Sequence, residues 1–327
     1  MATAPIAVER PGPGWDPRAL LRRIRSGDEI AHLVTLLFAT SVILITGLLV
    51  YELWVNSALS RHKFGWAFFV TRVWDPIFEH FGALPFIYGT LVTSILGLLI
   101  AVPVGLGAAI FLAELAPPRV SDALTFVVEL LAAVPSVIYG LLAIFTLVPL
   151  LREHVEPFLR ATLGFLPFFR GPAYGVGFLA GGLILAVMIV PFIISVSREV
   201  LLAVPADQRE AALALGATRW EATWKAVVPF ARAGILGSIF LALARALGET
   251  MAVTMVIGNN PQISASLFAP GYSIAAVIAN EFTEATGDLY LAALIELALV
   301  LFVLTFILNG LARLLILLTT QRGTTHE

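Results

Sequence analysis

The stretch at positions 210–229, EAALALGATRWEATWKAVVP, is mildly polar and helix-prone, with Gly216 near its middle. Apolar runs long enough to cross a membrane lie on both sides of it, so its reading decides how the chain is organised. Just upstream, Pro205 suits a first helical turn, where its missing N–H costs nothing. Asp207 and Glu210 complement the positive end of a helix dipole. Ala211, Ala212, Leu213, Ala214 and Leu215 are good helix formers, and Gly216 fits a left-handed C-cap. Thr218 and Glu221 match a capping box that starts a second helix. Trp220 and Trp224 lie four apart and share a face, and Pro229 ends that helix or begins the next span. The expectation is a short polar helical hairpin over 205–229, with the small Ala211 and Ala212 open to close approach by a partner. An ordinary tie between two spans is the alternative. A DNA-reading helix-turn-helix fits poorly, because the segment is tethered at both ends and only weakly basic.

Composition places this hairpin in a membrane protein. Of 327 residues, 59% are hydrophobic and 13% charged, and the mean hydropathy is +0.94; soluble domains are about a quarter charged. The net charge of −2 gives no basic field for nucleic acid. With no cysteine, disulfides, thiol catalysis and Cys-type metal sites are excluded. The only lysines, Lys63 and Lys225, do not follow glycine, so no Walker A phosphate loop is present. His62, His80 and His154 lack metal-ligand spacing. No triad, metal cluster or paired carboxylates mark an enzyme, and no cofactor is expected in this chain.

Six spans are predicted: 33–51, one within 81–113, 123–150 with Pro135 inside, one within 171–197, 233–257, and 290–317. A signal peptide would have a shorter apolar core than 33–51, so that helix is read as retained. Pro103, Pro135 and Pro191 are expected to bend their helices, and Gly97, Gly105, Gly107, Gly181, Gly182 and Gly237 to allow close helix approach. With the N-terminus inside, thirteen Lys and Arg residues fall in inner segments and six in outer loops, which favours both termini in the cytoplasm. The hairpin then faces the cytoplasm. The chain is accordingly divided into an arm (1–30), a first helix and outer loop (31–80), a core of five spans carrying the hairpin (81–318), and a tail (319–327).

Arg245 and Glu249 interrupt the fifth span and, in an unbroken helix, share one face. Arg245 lies about 18 Å into that span at 1.5 Å per residue, near the bilayer centre, where a charge costs at least about 2.5–3.5 kcal/mol. The pair fits either a structural lock or a site on a translocation path, where arginine's planar donor fork meets an oxyanion. Glu129, nearer the inner side of span three, is a further candidate partner; Ser136 and Tyr139 offer hydroxyls. Glu296 reads as a helix-packing or interfacial carboxylate.

Glu210-Ala211-Ala212, Gly216 and the Ala226-Val227-Val228-Pro229 ending resemble the EAA loop of ABC importer permeases, although that family usually has Ile and Leu where this chain has Ala226 and Val228. The resemblance implies the type I importer (MetI-like) fold, all-α with six transmembrane helices, and a hairpin that docks on a separate ATPase, where ATP and Mg would be bound. ARALGETMAV at 244–253, ELLAAVPSVIYGL at 129–141 and FGALPFIYGTL at 81–91 are similar to the phosphate-specific transport (Pst) permeases, nearest their PstC half. Sulfate and molybdate permeases share the Arg-Ala-Leu-Gly-Glu core but usually continue with an aromatic after the Glu. The Pst resemblance implies a bacterial inner-membrane system importing phosphate. Its parts are a second, PstA-like permease, two copies of a PstB-like ATPase and an extracytoplasmic PstS-like phosphate-binding protein. It implies that Arg245 and Glu249 occupy the transport positions. A gradient-driven transporter and a non-transporting scaffold are the rivals of other classes.

Overall fold

A computed structural model describes residues 28–321; most of the expected arm and the end of the expected tail lie outside the described residues. The chain divides into two compact units, Met1–Glu52 and Leu53–Glu327. Helix α1 (Asp28–Asn56) carries the described part of the first unit.

In the second unit, α2 (Ala58–Phe64) and α3 (Ala67–Val70) lead to a two-residue antiparallel ladder, β1 (Trp74–Asp75) against β2 (His80–Phe81). Among the described residues, the remaining elements are helical. Helix α4 (Leu84–Ile110) runs on through a π-turn at Phe111–Leu115, and Pro117 and Pro118 stop it. Next come α5 (Pro118–Ala132), α6 (Ser136–Leu142), a run of π- and α-turns, and α7 (Glu156–Leu163). Then follow α8 (Phe178–Leu202), the hairpin helices α9 (Ala206–Ala214) and α10 (Arg219–Ala222), α11 (Val228–Leu247), α12 (Met251–Thr254), α13 (Ile274–Glu281) and α14 (Asp288–Gln321).

Six helical runs among the described residues are long and apolar enough to span a membrane: Ile30–Asn56, Leu84–Leu115, Ser136–Leu163, Phe178–Leu202, Arg219–Leu247 and Asp288–Leu314. Two depart from expectation. The third does not run through Pro135. Helix α5 ends at Ala132 and Pro135 is the extended N-cap of α6 (φ −58°, ψ 139°), because a proline withholds its N–H and crowds the turn before it. Glu129 thus lies on α5, before the break. The fifth starts earlier and stops sooner. The second limb of the hairpin continues through a π-turn at Thr223–Val227 into α11, with Pro229 in its first turn, and the helix ends at Leu247 rather than 257.

Helices α4 and α8 form the central pair. Lipid tails are as apolar as leucine, so their association rests on close packing rather than transfer from water. Small residues supply it: a Cβ at Gly97 would meet Leu185 Cβ at 3.0 Å, and one at Gly182 would meet Leu96 Cδ2 at 2.5 Å. Gly107 and Gly237, expected to act likewise, have nothing within 4 Å. Pro103 and Pro191 lie inside continuous helices. Ser197 and Ser238 hydroxyls, 2.7 Å apart and buried, tie α8 to α11.

At the end far from the hairpin, the loop between α12 and α13 covers the start of α8. The N–H groups of Gly177, Phe178 and Leu179, which a helix start leaves unpaired, donate to the carbonyls of Val256, Ala269 and Leu267. Trp74 packs edge-on against Phe81 and Phe86, and its indole N–H donates to Glu281 at 2.8 Å. Tyr290 stacks on Phe81 and donates to the same carboxylate at 2.6 Å.

Candidate functional site

The expected site residues fall in two places: the hairpin, and the level of the bundle where Arg245 sits. In the hairpin, no side chain of α9 is buried, and Glu210, Ala211 and Gly216 are exposed with Ala212 half-buried. Gly216 has φ +88°. Its N–H donates to Leu213 O at 2.9 Å and that of Ala217 to Ala212 O at 3.2 Å, the paired bonds of a Schellman ending. The expected capping box is present: Thr218 Oγ1 accepts from Glu221 N–H at 3.2 Å, and Glu221 Oε2 accepts from Thr218 N–H at 3.0 Å. The Trp220 and Trp224 rings meet edge-on with centroids 5.6 Å apart, and both stay largely exposed. With Leu213 and Leu215, the latter 90% exposed, they leave an apolar surface on the hairpin.

Sequence reasoning missed what holds the hairpin. Arg209 grips Glu114 with both prongs of its guanidinium, Nε at 3.0 Å and Nη2 at 2.7 Å. It also donates to Val204 O at 2.5 Å and Leu201 O at 2.7 Å, carbonyls where the chain leaves α8. Glu114 is 8% exposed and sits in the π-turn that ends α4. Its hydrogen bonds raise Arg209's already high pKa, so the guanidinium stays charged. Each residue stands out singly in the sequence, Glu114 as the first charge after the uncharged run 81–113 and Arg209 immediately before Glu-Ala-Ala, but nothing there pairs them.

Arg245 lies in the last turn of α11 and is exposed. Its guanidinium carbon is 5.9 Å from the ring centroid of Phe192, the fifteenth residue of the 25-residue α8, which sets Arg245 at the middle of the bundle's depth. Tyr139 is buried, and its hydroxyl donates at 2.7 Å to the carbonyl of Leu131, four residues before Pro135, which has no N–H to offer. That hydroxyl is therefore committed to the break in span three.

The expected shared face of Arg245 and Glu249 is not present. Gly248 ends α11, and Glu249 Oε1 instead accepts from the Ala252 N–H at 3.2 Å, capping α12. Glycine's poor helix propensity and the competing cap break the helix that the four-residue spacing assumed. Among the described residues, no ion pair within 4.0 Å joins Arg245 to Glu249 or Glu129. Glu129 is exposed on α5. Helix α12 is pressed onto α6, where a Cβ at Gly140 would meet Ala252 Cα at 3.2 Å. Glu296 is 2% exposed, buried beside Ser60 and Arg61 as a packing carboxyl. Among the described residues, no group of three or more His, Asp or Glu side chains is arranged to hold a metal ion.

An exposed arginine halfway along a bundle of apolar helices cannot face lipid without a large penalty. It therefore faces a water-filled passage or another protein.

Residues 101–317 match the family model described as the binding-protein-dependent transport system inner membrane component. The chain is 46% identical over 303 residues to the phosphate transport system permease protein PstC of Mesorhizobium japonicum, covering 91% of this chain and 93% of the relative. It is 48% identical over 293 residues to the protein of the same name from Haemophilus influenzae, covering 88% and 93%. Its fold matches a chain from the crystal structure of a bacterial ABC transporter involved in import of the acidic polysaccharide alginate, at TM-score 0.53 and 19% identity, over 89% of this chain and 98% of that one. A six-span helical architecture, a polar hairpin between spans four and five, and these matches together show that the chain belongs to the binding-protein-dependent transport system inner membrane component family of ABC importer permeases.

Proposed function

We propose that this chain is the transmembrane permease subunit of an ATP-driven importer of inorganic phosphate. The observation that carries the reading is Arg245, an arginine exposed at mid-depth in a largely apolar bundle. The PstC relatives, alike over nearly the whole chain, support phosphate as the cargo.

Phosphate needs a fixed positive charge and planar donors to replace part of its hydration, and the Arg245 guanidinium offers both. Glu249, four residues on, keeps a carboxylate near the passage and limits how tightly an anion is held. Glu129 stands at the edge of the same passage. The second half of the passage belongs to a second permease subunit, PstA-like, which covers the exposed side of Arg245. Energy enters through the hairpin. Its open apolar face and the residues Glu210, Ala211, Ala212, Gly216 and Pro229 seat in one of two PstB-like ATPase copies, which bind ATP and Mg. Closure of the ATPases pushes the hairpins, and the helix bundles rock between outward and inward openings. A PstS-like binding protein delivers phosphate at the opposite face. The hairpin and both termini lie in the cytoplasm, with 81–318 as the permease core.

ATP hydrolysis by the complex reconstituted in lipid vesicles tests this. Phosphate-loaded binding protein raises hydrolysis and drives phosphate uptake. Stimulation by sulfate alone, or uptake that persists with a hydrolysis-dead ATPase, would sink the reading.

A further inference from the structure

The hairpin is welded to two helices that are not continuous with its tip. Val227, Ala231 and Ile235 of its second limb share a small buried core with Ala109 and Ile110 of α4 and with Leu201 and Val204 at the end of α8. Arg209 closes this core on the exposed side. One guanidinium takes the buried Glu114 carboxylate bidentately and two carbonyls of the chain leaving α8. Ser121 at the start of α5 adds a bond to Leu112 O at 2.8 Å, in the same π-turn that holds Glu114. Three helix ends therefore converge on one residue pair.

We infer that the Arg209–Glu114 clasp is the joint through which the hairpin stroke reaches α4, with Arg209 a positioning residue for transport rather than a contact for phosphate or ATPase. This rests on the function proposed above. Without the clasp, a push on the exposed α9 reaches α8 through the short turn at Ala203–Pro205 and reaches α4 only through apolar side chains, which slide. A bidentate charged bond, partly shielded from water, resists that sliding because its geometry is fixed in two directions. Helix α4 packs on α8 along its length, and α8 carries Phe192 beside Arg245, so the clasp lies on a continuous packed line from hairpin to mid-membrane arginine.

The absence of cysteine makes the test clean on this chain. Arg209→Ala and Glu114→Gln are made in the full complex in vesicles, and uptake, ATP hydrolysis and ATPase co-purification are read together. The joint predicts wild-type co-purification, hydrolysis within about twofold of wild type, and phosphate uptake per ATP reduced at least tenfold. Arg209→Lys, which keeps the charge but loses the fork, falls between. In Glu114→Cys/Arg209→Cys, two long side chains are replaced by short ones, so a bis-methanethiosulfonate linker is used, its span matched to the gap beyond disulfide reach. Linked complexes regain most of the uptake per ATP, and reductant removes it again. Loss of hydrolysis and co-purification in step with uptake makes the pair a mere staple and overturns the proposal, as does normal uptake in Arg209→Ala or a linker that restores nothing. Phosphate uptake by the wild-type complex in the same vesicles tests the function reading separately; the linker's effect on binding-protein-stimulated hydrolysis reports the joint whatever the cargo.

Discussion

Gly89→Ala separates the packing described here from any looser arrangement of the same helices. Gly89 is buried in α4 against the loop that precedes α13. A Cβ there would stand 2.1 Å from the carbonyl oxygen of Tyr272, well over 1 Å inside ordinary contact distance, and that neighbour is backbone. The loop must move by about that much. The next residue, Thr90, accepts the buried Ile274 N–H at 2.9 Å, and a 1 Å shift strains or breaks that bond. Overpacking costs about 1–3 kcal/mol and an unpaired buried N–H about 1–3 kcal/mol, against a gain of about 1 kcal/mol from glycine to alanine in a helix. The net is a loss of about 1–5 kcal/mol. Gly107→Ala, in the same helix with nothing within 4 Å, carries the propensity gain alone. Thermal unfolding of the purified chain in detergent, followed by tryptophan fluorescence, reads both. The Gly89→Ala midpoint falls by several degrees and the Gly107→Ala midpoint stays or rises; equal midpoints would refute the close approach of α4 to the loop.

The hairpin and the charged pair give further expectations. Thr218→Ala removes the capping-box acceptor, worth about 1 kcal/mol, so amide hydrogen exchange in α10 speeds up several-fold while uptake changes little. Gly216→Val forces a β-branched residue to φ +88° and costs more than Gly216→Asn, seen as weaker ATPase co-purification for valine alone. Glu249→Gln keeps an oxygen for the Ala252 N–H and loses the charge, so the chain folds normally but transports poorly. Glu249→Leu loses the cap as well, and its yield of folded protein drops below that of Glu249→Gln.

Much of this was readable in the sequence because the local rules agree there. Thr218, Glu221 and Gly216 each act within a few residues, and they form the box and the turn their spacing implies. The six spans were legible from hydropathy because a bilayer demands about 20 apolar residues in a row. Their ends were not, since apolarity does not say where a helix stops. Pro135, expected to bend its helix, caps a new one instead, because it offers no N–H and crowds the turn before it. Arg245 and Glu249 were paired by counting four residues, a rule that holds only inside an unbroken helix, and Gly248 breaks it. Arg209–Glu114 spans 95 positions, and no periodicity links residues that far apart.

Arg245 is the centre of the account, and phosphate uptake by vesicles bearing Arg245→Gln tests it most directly. The variant complex is expected to assemble, bind the ATPase and hydrolyse ATP, while uptake falls at least a hundredfold, the loss of about 3 kcal/mol expected when a charge-assisted bond to an anion in transit is removed. Uptake at the wild-type rate with glutamine at position 245 would contradict it.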